Sequence, residues 1–91
     1  MPSYVVESYA ADSATVFEDA RACARRTAEL GNGVRYVRTT FLPADQTLLH
    51  VFEAPSVEEL DRAGTLAALA FERIVVALER SEPAEEREAG K

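Results

Sequence analysis

The sequence has few of the residues on which covalent staples and metal sites depend. Cys23 is the only cysteine and His50 the only histidine among 91 residues. A single cysteine excludes a disulfide within the chain, and no H-x-x-H or C-x-x-C pair supplies the local spacing of a metal knuckle. Stability must therefore come from packing. The chain forms one domain, near the size at which a single hydrophobic core can stabilise a fold without disulfides or bound metals.

Basic side chains are also scarce. Sixteen acidic residues stand against ten basic ones, for a formal net charge of −6. Nucleic acid binding needs a basic patch that neutralises phosphates, and the closest cluster, Arg21, Arg25 and Arg26, is flanked by Glu18, Asp19 and Glu29. We therefore predict that neither nucleic acid nor an anionic membrane surface is a partner.

Long apolar runs are absent as well. The N-terminal residues lack the basic and apolar regions of a signal peptide, and no apolar stretch approaches the ~20 residues that span a bilayer. The sequence therefore predicts a cytoplasmic protein.

Apolar residues make up 47% of the chain, and their period changes along it. Residues 4–9 predict a first strand, and Asp12 and Ser13 are candidates for the N-cap of a helix. From Ala14 the apolar period becomes about 3.6, as in an amphipathic helix. Residues 31–33, Gly-Asn-Gly, predict the end of this helix, because glycine can adopt the left-handed conformation that closes a last turn.

Residues 34–55 predict a β-hairpin at the centre of a small sheet. Two runs rich in β-branched and aromatic residues flank a turn at residues 43–46. Side chains alternate along a strand, so His50 must point to the same side as Leu48 and Phe52. Both faces of this second strand carry apolar residues, which indicates that both are covered.

The last third of the chain predicts a helix and a strand. Ser56 and Glu59 form the S-x-x-E pattern of a capping box, and the helix that follows can continue as far as Ala70. Residues 74–78 are apolar and β-branched and predict the fourth strand. Residues 81–91 are predicted to be a flexible polar tail, which leaves one domain over residues 1–80.

The predicted order, β-α-β-β-α-β, is that of ferredoxin-like α+β domains. Such a domain has a four-stranded antiparallel sheet with two helices on one face. The other face is then available to a second copy of the chain, in a dimeric α+β barrel, or to a ligand cavity.

The sequence resembles a family of small bacterial ferredoxin-like proteins, typified by a nickel-binding, nickel-responsive member, in which most proteins have no assigned function. The resemblance covers residues 3–79. It rests on strand and cap patterns: YVVE at residues 4–7, VRYVRTTF at 34–41, HVFEAP at 50–55 with the capped helix behind it, and ERI at 72–74.

Two departures from the family pattern concern the region around the predicted site. The family usually ends its second helix with a Gly-x-Pro turn, whereas residues 67–70 are Ala-Ala-Leu-Ala, so the helix end and the adjacent pocket wall are expected to differ. The position of His50 is commonly cysteine in relatives. The resemblance implies a ferredoxin-like homodimer formed through the open sheet face, and a possible site for nickel or another divalent metal.

Two functional hypotheses follow. In the first, the protein binds a small ligand or a divalent metal of the nickel type without turnover. His50 would be the metal ligand, together with carboxylates such as Glu7 or Glu53 or with symmetry-related ligands across a dimer. In the second, it is a cofactor-independent isomerase, cyclase or monooxygenase-like enzyme, with a cavity on the open sheet face and His50 or Glu7 as the proton-transfer group. The ligand-binding candidates are Phe52 and, on the first strand of the hairpin, Tyr36, Arg38 and Thr40, which regular alternation places on one face.

His50 also has a purely structural interpretation. A lone histidine on a mixed strand face is most often a packed, hydrogen-bonded side chain. For Glu7, the corresponding interpretation is a strand carboxylate that faces solvent. The sequence identifies these residues as candidates without choosing between a structural and a chemical role.

Overall fold

The two apolar periods of the sequence correspond to four strands and two helices. A computed structural model describes residues 1–10 and 14–78 of the chain. Among these, the predicted elements are confirmed to within one or two residues at most ends. They are β1 (Ser3–Tyr9), α1 (Ala14–Leu30), β2 (Arg35–Leu42), a short 3₁₀ turn (Pro43–Asp45), β3 (Thr47–Glu53), α2 (Val57–Leu66) and β4 (Arg73–Ala77).

The four strands form an antiparallel sheet in the order β2-β3-β1-β4. This is the ferredoxin-like α+β arrangement that the element order predicts. Of the two strands of the predicted hairpin, however, only β3 lies at the centre of the sheet. β3 is central because α1 returns the chain so that β3 pairs with β1, and this leaves β2 at one edge of the sheet.

The register divides the strand residues between two faces. On one face, His50 of β3 lies beside Val6 of β1, which in turn lies beside Ile74 of β4. The next row on that face contains Phe52 and Tyr4. The two helices cover this face, which we call the helix face; the opposite side is the open face.

The core lies between the helix face and the two helices. Phe52 and Ala24 are fully buried, and Leu60 is 1% exposed. Burying a side chain of the size of Phe or Leu contributes about 1.5–3 kcal/mol, so this cluster supplies much of the driving force for folding. Its buried members are Tyr4, Val6, Ala24, Val34, Phe52, Ala54, Leu60, Ala63 and Leu69.

The glycines that follow α1 have different roles. A β-carbon on Gly31 would lie 2.5 Å from Cγ2 of Val34, so the close approach of the chain after the helix requires a residue without a side chain. Gly33 has a φ of +80°, in the left-handed region that glycine adopts most easily. The prediction that this segment ends the helix is confirmed.

The start of α2 confirms one half of the predicted capping box. The backbone N–H of Glu59 donates to Oγ of Ser56 at 3.1 Å. The Glu59 carboxylate instead accepts the backbone N–H of Asn32 at 2.7 Å and pairs with Arg62. The Arg62 guanidinium and then the Asn32 amide lower the pKa of Glu59 to about 2. One carboxylate therefore links the start of α2 to the loop after α1.

The end of α2 differs from the continuous helix that the alanine-rich sequence allowed. The helix ends at Leu66, and the N–H of Leu69 donates to the carbonyl of Gly64 at 2.8 Å. Ala68 has a φ of 60°, and its N–H donates to the carbonyl of Thr65 at 3.1 Å. These two bonds define a Schellman motif, in which the left-handed position is usually glycine. The turn therefore forms without a Gly-x-Pro sequence.

Some sequence predictions lie outside the described residues. They are the helix cap at Asp12 and Ser13 and the polar tail at residues 81–91. Within the described residues, no helix has both the length and the apolar composition needed to cross a membrane.

The left-handed conformation of Ala68 leads to a stability prediction. Because a β-carbon costs roughly 1–2 kcal/mol in this conformation, Ala68→Gly should stabilise the fold by about 1 kcal/mol. The melting temperature should rise by about 4–8 °C, as measured by thermal unfolding. Ala70→Gly is the matched control, since Ala70 lies in the same loop without a positive φ. An equal or lower melting temperature for Ala68→Gly than for the parent would contradict the prediction.

Candidate functional site

A β-bulge in β2 redistributes the predicted ligand-binding residues. The pairing shifts between Tyr36, which lies opposite Phe52, and Arg38, which lies opposite Val51. Tyr36 therefore points to the helix face, whereas Arg38 and Thr40 point to the open face. The prediction that the three side chains share one face is wrong, because the extra residue in the strand inverts the alternation.

His50 lies on the helix face and is fully buried. The prediction of a cavity on the open face that contains His50 is therefore wrong. His50 and Glu7 lie on opposite sides of the sheet, since Glu7 pairs in register with Leu49 and not with His50. No single site on one face can use both side chains.

A chain of hydrogen bonds leads from Tyr36 through Thr39 to His50. Nδ1 of His50 lies 2.7 Å from Oγ1 of Thr39, which is its neighbour across the β2–β3 pair. The same Thr39 oxygen lies 2.5 Å from the hydroxyl of Tyr36. A hydrogen bond to the Tyr36 hydroxyl is the largest cause that raises the pKa of Arg21, ahead of the nearby Glu18 carboxylate. We call Tyr36, Thr39 and His50 the polar chain.

The other ring nitrogen of His50 has no hydrogen-bond partner in the protein. Among the described residues, Nε2 of His50 is the buried side-chain nitrogen or oxygen atom for which no partner is found. His50 lines a pocket of about 210 Å³ between the sheet, α1 and the loop after α2. The lining residues are Ser8, Tyr9, Ala10, Leu48 and His50 from the sheet and its end, Val16, Asp19, Ala20 and Cys23 from α1, and Ala68, Leu69 and Ala70 from the loop.

Burial determines the protonation state of His50. Removal of the ring from water lowers its pKa from 6.5 to about 4, because a low-dielectric environment disfavours the charged form. The imidazole is therefore neutral at neutral pH. A neutral ring has one N–H donor and one acceptor nitrogen, so Nε2 carries either the N–H or the lone pair of the ring.

The remaining predicted residues do not join this pocket. Glu7 forms an ion pair with Arg73 at 3.0 Å on the open face, and Arg35 pairs with Glu53 at 2.9 Å at the end of that face. Phe52 belongs to the core, where its ring centroid lies 5.5 Å from that of Tyr36. The pocket therefore contains His50 and none of the other predicted site residues.

The ligand set around His50 does not fit a metal ion. The carboxylates that the sequence suggested as co-ligands, Glu7 and Glu53, are on the open face. Asp19 and Cys23 line the pocket with His50, but within the described part of the chain no three His, Cys, Asp or Glu side chains are grouped so that they could hold a metal. The predicted nickel site thus lacks support from the residues of one chain.

Sequence reasoning missed Thr39, although a signal for it was present. With residues 43–46 as the turn, Leu42 pairs with Thr47, and counting back along both strands places Thr39 opposite His50. Cys23 lies on the inner side of α1, where it is partly buried against the core. The resemblance indicated a pocket wall beside residues 67–70, but no local pattern predicted how Ala68 to Ala70 line it, because their position depends on the Schellman turn.

Comparison with known proteins supports the fold and assigns no chemistry. No protein-family model matches the sequence, and no curated protein matches it. Among solved structures, the chain is similar to SCO4226 from Streptomyces coelicolor A3(2), with a TM-score of 0.72 and 16% sequence identity. The match covers 87% of this chain and 99% of that one. At this identity the likeness shows a shared fold.

Burial of a neutral His50 predicts a dependence of stability on pH. Its folded pKa is depressed to about 4 from 6.5, so the unfolded chain binds the proton first as the pH falls. The contribution of the neutral, buried ring to the free energy of unfolding is complete above pH 6.5. It is lost between pH 6.5 and 4, by an amount on the order of 3 kcal/mol. Urea unfolding across this range should show a steeper loss for the parent than for His50→Leu. Identical pH slopes for the two proteins would contradict the prediction.

Proposed function

We propose that this protein binds a small, mostly apolar molecule in the pocket between the sheet and α1, and that Nε2 of His50 makes the polar contact that orients it. The observation that carries the proposal is the unpartnered Nε2 on a fully buried side chain that lines the pocket. A buried polar atom without a partner costs about 1–3 kcal/mol, and a bound ligand that hydrogen bonds to it would recover this cost.

The size and lining of the pocket favour a ligand built on one ring. Its volume of about 210 Å³ exceeds the roughly 150 Å³ of an engineered apolar cavity that binds benzene. Most lining side chains are apolar, including Leu48, Leu69 and Ala20, and few polar groups accompany His50. Binding sites for small molecules commonly combine an apolar wall with one or a few polar groups that fix orientation.

The electrostatics favour binding over proton transfer. A general acid or base works best with a pKa near the working pH, whereas the pKa of His50 is lowered to about 4 by burial. Glu7, the second proton-transfer candidate, lies on the other face of the sheet in an ion pair with Arg73. The pocket therefore has a neutral hydrogen-bonding group and supports the ligand-binding hypothesis better than the enzyme hypothesis.

Acetophenone is a suitable probe, because it combines one ring with one polar group. We expect it to bind the parent protein, as followed by chemical-shift changes in NMR titrations. Ala20→Leu should abolish binding by filling the pocket, and His50→Leu should weaken it about 3- to 10-fold through loss of one hydrogen bond.

Ala22→Leu is the matched control for the filling variant, because Ala22 lies on the exposed side of α1. It should bind acetophenone as the parent does. Absence of binding to the parent, or equal binding by the parent and Ala20→Leu, would contradict the proposal.

The open face supports a second part of the proposal, a homodimer. Its central row consists of Val51, Val5 and Val75, paired in register across β3, β1 and β4. The ion pairs Glu7–Arg73 and Arg35–Glu53 flank this row on either side. An apolar centre with a polar rim is the usual anatomy of a protein interface.

Substitution in this row tests the dimer. Val75→Glu should convert the dimer to a monomer in sedimentation velocity experiments, because it would place a charge against the apolar row of the partner. Val76→Glu is the matched control, since Val76 points to the other side of β4 and is 67% exposed. A monomeric parent protein, or equal dissociation of both variants, would rule out this interface.

A further inference from the structure

We infer that Asn32 is a modification site, at which the folded protein releases ammonia from the asparagine side chain and acquires a carboxylate beside Glu59. The site lies in the turn after α1 and is separate from the residues that line the pocket. The inference stands on the sequence Asn32-Gly33 and on the contacts of these two residues. It is independent of the proposed function.

The reaction joins the asparagine side chain to the backbone of the next residue. The backbone nitrogen of Gly33 attacks the side-chain carbonyl carbon of Asn32 and loses its proton, and the side-chain nitrogen leaves as ammonia. Water then opens the resulting five-membered succinimide. Opening at the side-chain carbonyl gives aspartate, and opening at the backbone carbonyl gives isoaspartate. One water is consumed and one ammonia is released, and neither an oxidant nor a reductant is needed.

The attacking group, the backbone N–H of Gly33, is available. The N–H of Gly31 donates to the carbonyl of Thr27 at 2.9 Å, and that of Asn32 donates to Glu59 at 2.7 Å. For the N–H of Gly33, no acceptor is found within residues 1–10 and 14–78. Gly33 also lacks a β-carbon, so no side chain of its own shields the nitrogen.

The group that is attacked, the side-chain amide of Asn32, is also available. Asn32 is exposed, and its amide has no hydrogen-bond partner in the part of the chain that the structure describes. An amide that was held by several hydrogen bonds would have to break them before it could rotate towards the backbone. At Asn32 this rotation breaks no hydrogen bond.

The aspartate product would place two negative charges side by side. Glu59 accepts the backbone N–H of Asn32, and the Arg62 guanidinium and then this N–H lower the pKa of Glu59 to about 2, so its carboxylate is charged at neutral pH. A second carboxylate on residue 32 would repel it, because like charges at close range destabilise each other. Modification should therefore weaken the link between the turn and the start of α2.

The isoaspartate product would also disturb the packing of the turn. A β-carbon on Gly31 would lie 2.5 Å from Cγ2 of Val34, and one on Gly33 would lie 3.3 Å from Cγ of Pro55. The main chain on both sides of residue 32 is therefore close to its neighbours. Isoaspartate adds one carbon to the main chain between the two glycines, so at least one of these contacts must be displaced.

The composition of the chain allows a direct test by intact-protein mass spectrometry. Asn32 is the only asparagine, and Gln46 is the only glutamine. During storage in mildly alkaline buffer, the folded, untagged parent should gain the mass difference between an amide and an acid, and peptide mapping should assign the gain to residue 32. Asn32→Gln is the matched control and should keep its mass, since glutamine would have to form a less accessible six-membered ring.

A second sample, unfolded in urea, distinguishes the folded turn from the bare sequence. Both the folded and the unfolded parent should be modified at residue 32. Modification of the unfolded sample alone would show that the fold protects Asn32 and would overturn the inference. A mass gain located at Gln46, or no gain in either sample, would overturn it as well.

Asn32→Asp reproduces the aspartate product and tests its effect on Glu59. Its melting temperature should lie about 4–8 °C below that of the parent, because one charge-assisted hydrogen bond is weakened. Glu59→Gln keeps an acceptor oxygen and removes the charge, so in this background Asn32→Asp should lower the melting temperature by a smaller amount. Equal decreases in the two backgrounds, or no decrease in the parent, would overturn the coupling to Glu59.

Discussion

A neutral imidazole can be kept in a protein core only when its two ring nitrogens are hydrogen bonded or face a space that another molecule can enter. At His50, Nδ1 is bonded to Thr39, the ring lines the pocket, and Nε2 has no partner among the described residues. The requirement fixes the register of β2 against β3, because a shift by one residue would remove Thr39 from the helix face. The site and the sheet therefore depend on the same hydrogen bond.

The elements of this fold could be predicted from the sequence because each has a local cause. The apolar period gives α1, the Ser56 cap begins α2, and the β-branched run gives β4. The direction of His50 relative to Leu48 and Phe52 also followed from simple alternation. What alternation alone could not supply was which of the two faces the helices cover, since both faces of β3 are apolar.

Two further errors had physical causes that act over more than one element. The bulge beside Tyr36 reverses the alternation of side chains along β2, and the strand propensities of its residues do not predict a bulge. The end of α2 was obscured because alanine is both the best helix former and, at Ala68, the residue in a left-handed turn. Tertiary contacts of Leu69 with the core determine that turn, and with it one wall of the pocket.

The bulge has a consequence for assembly as well as for the site. β2 is an edge strand, and a regular edge offers a row of free backbone groups to any extended chain. A bulge interrupts that row and bends the strand, so β2 is a poor template for the addition of a further strand. The opposite edge, β4, is only five residues long. Neither edge of the sheet is therefore a good template for strand addition by another copy of the chain, and at β2 this follows from the same bulge that turns Tyr36 to the helix face.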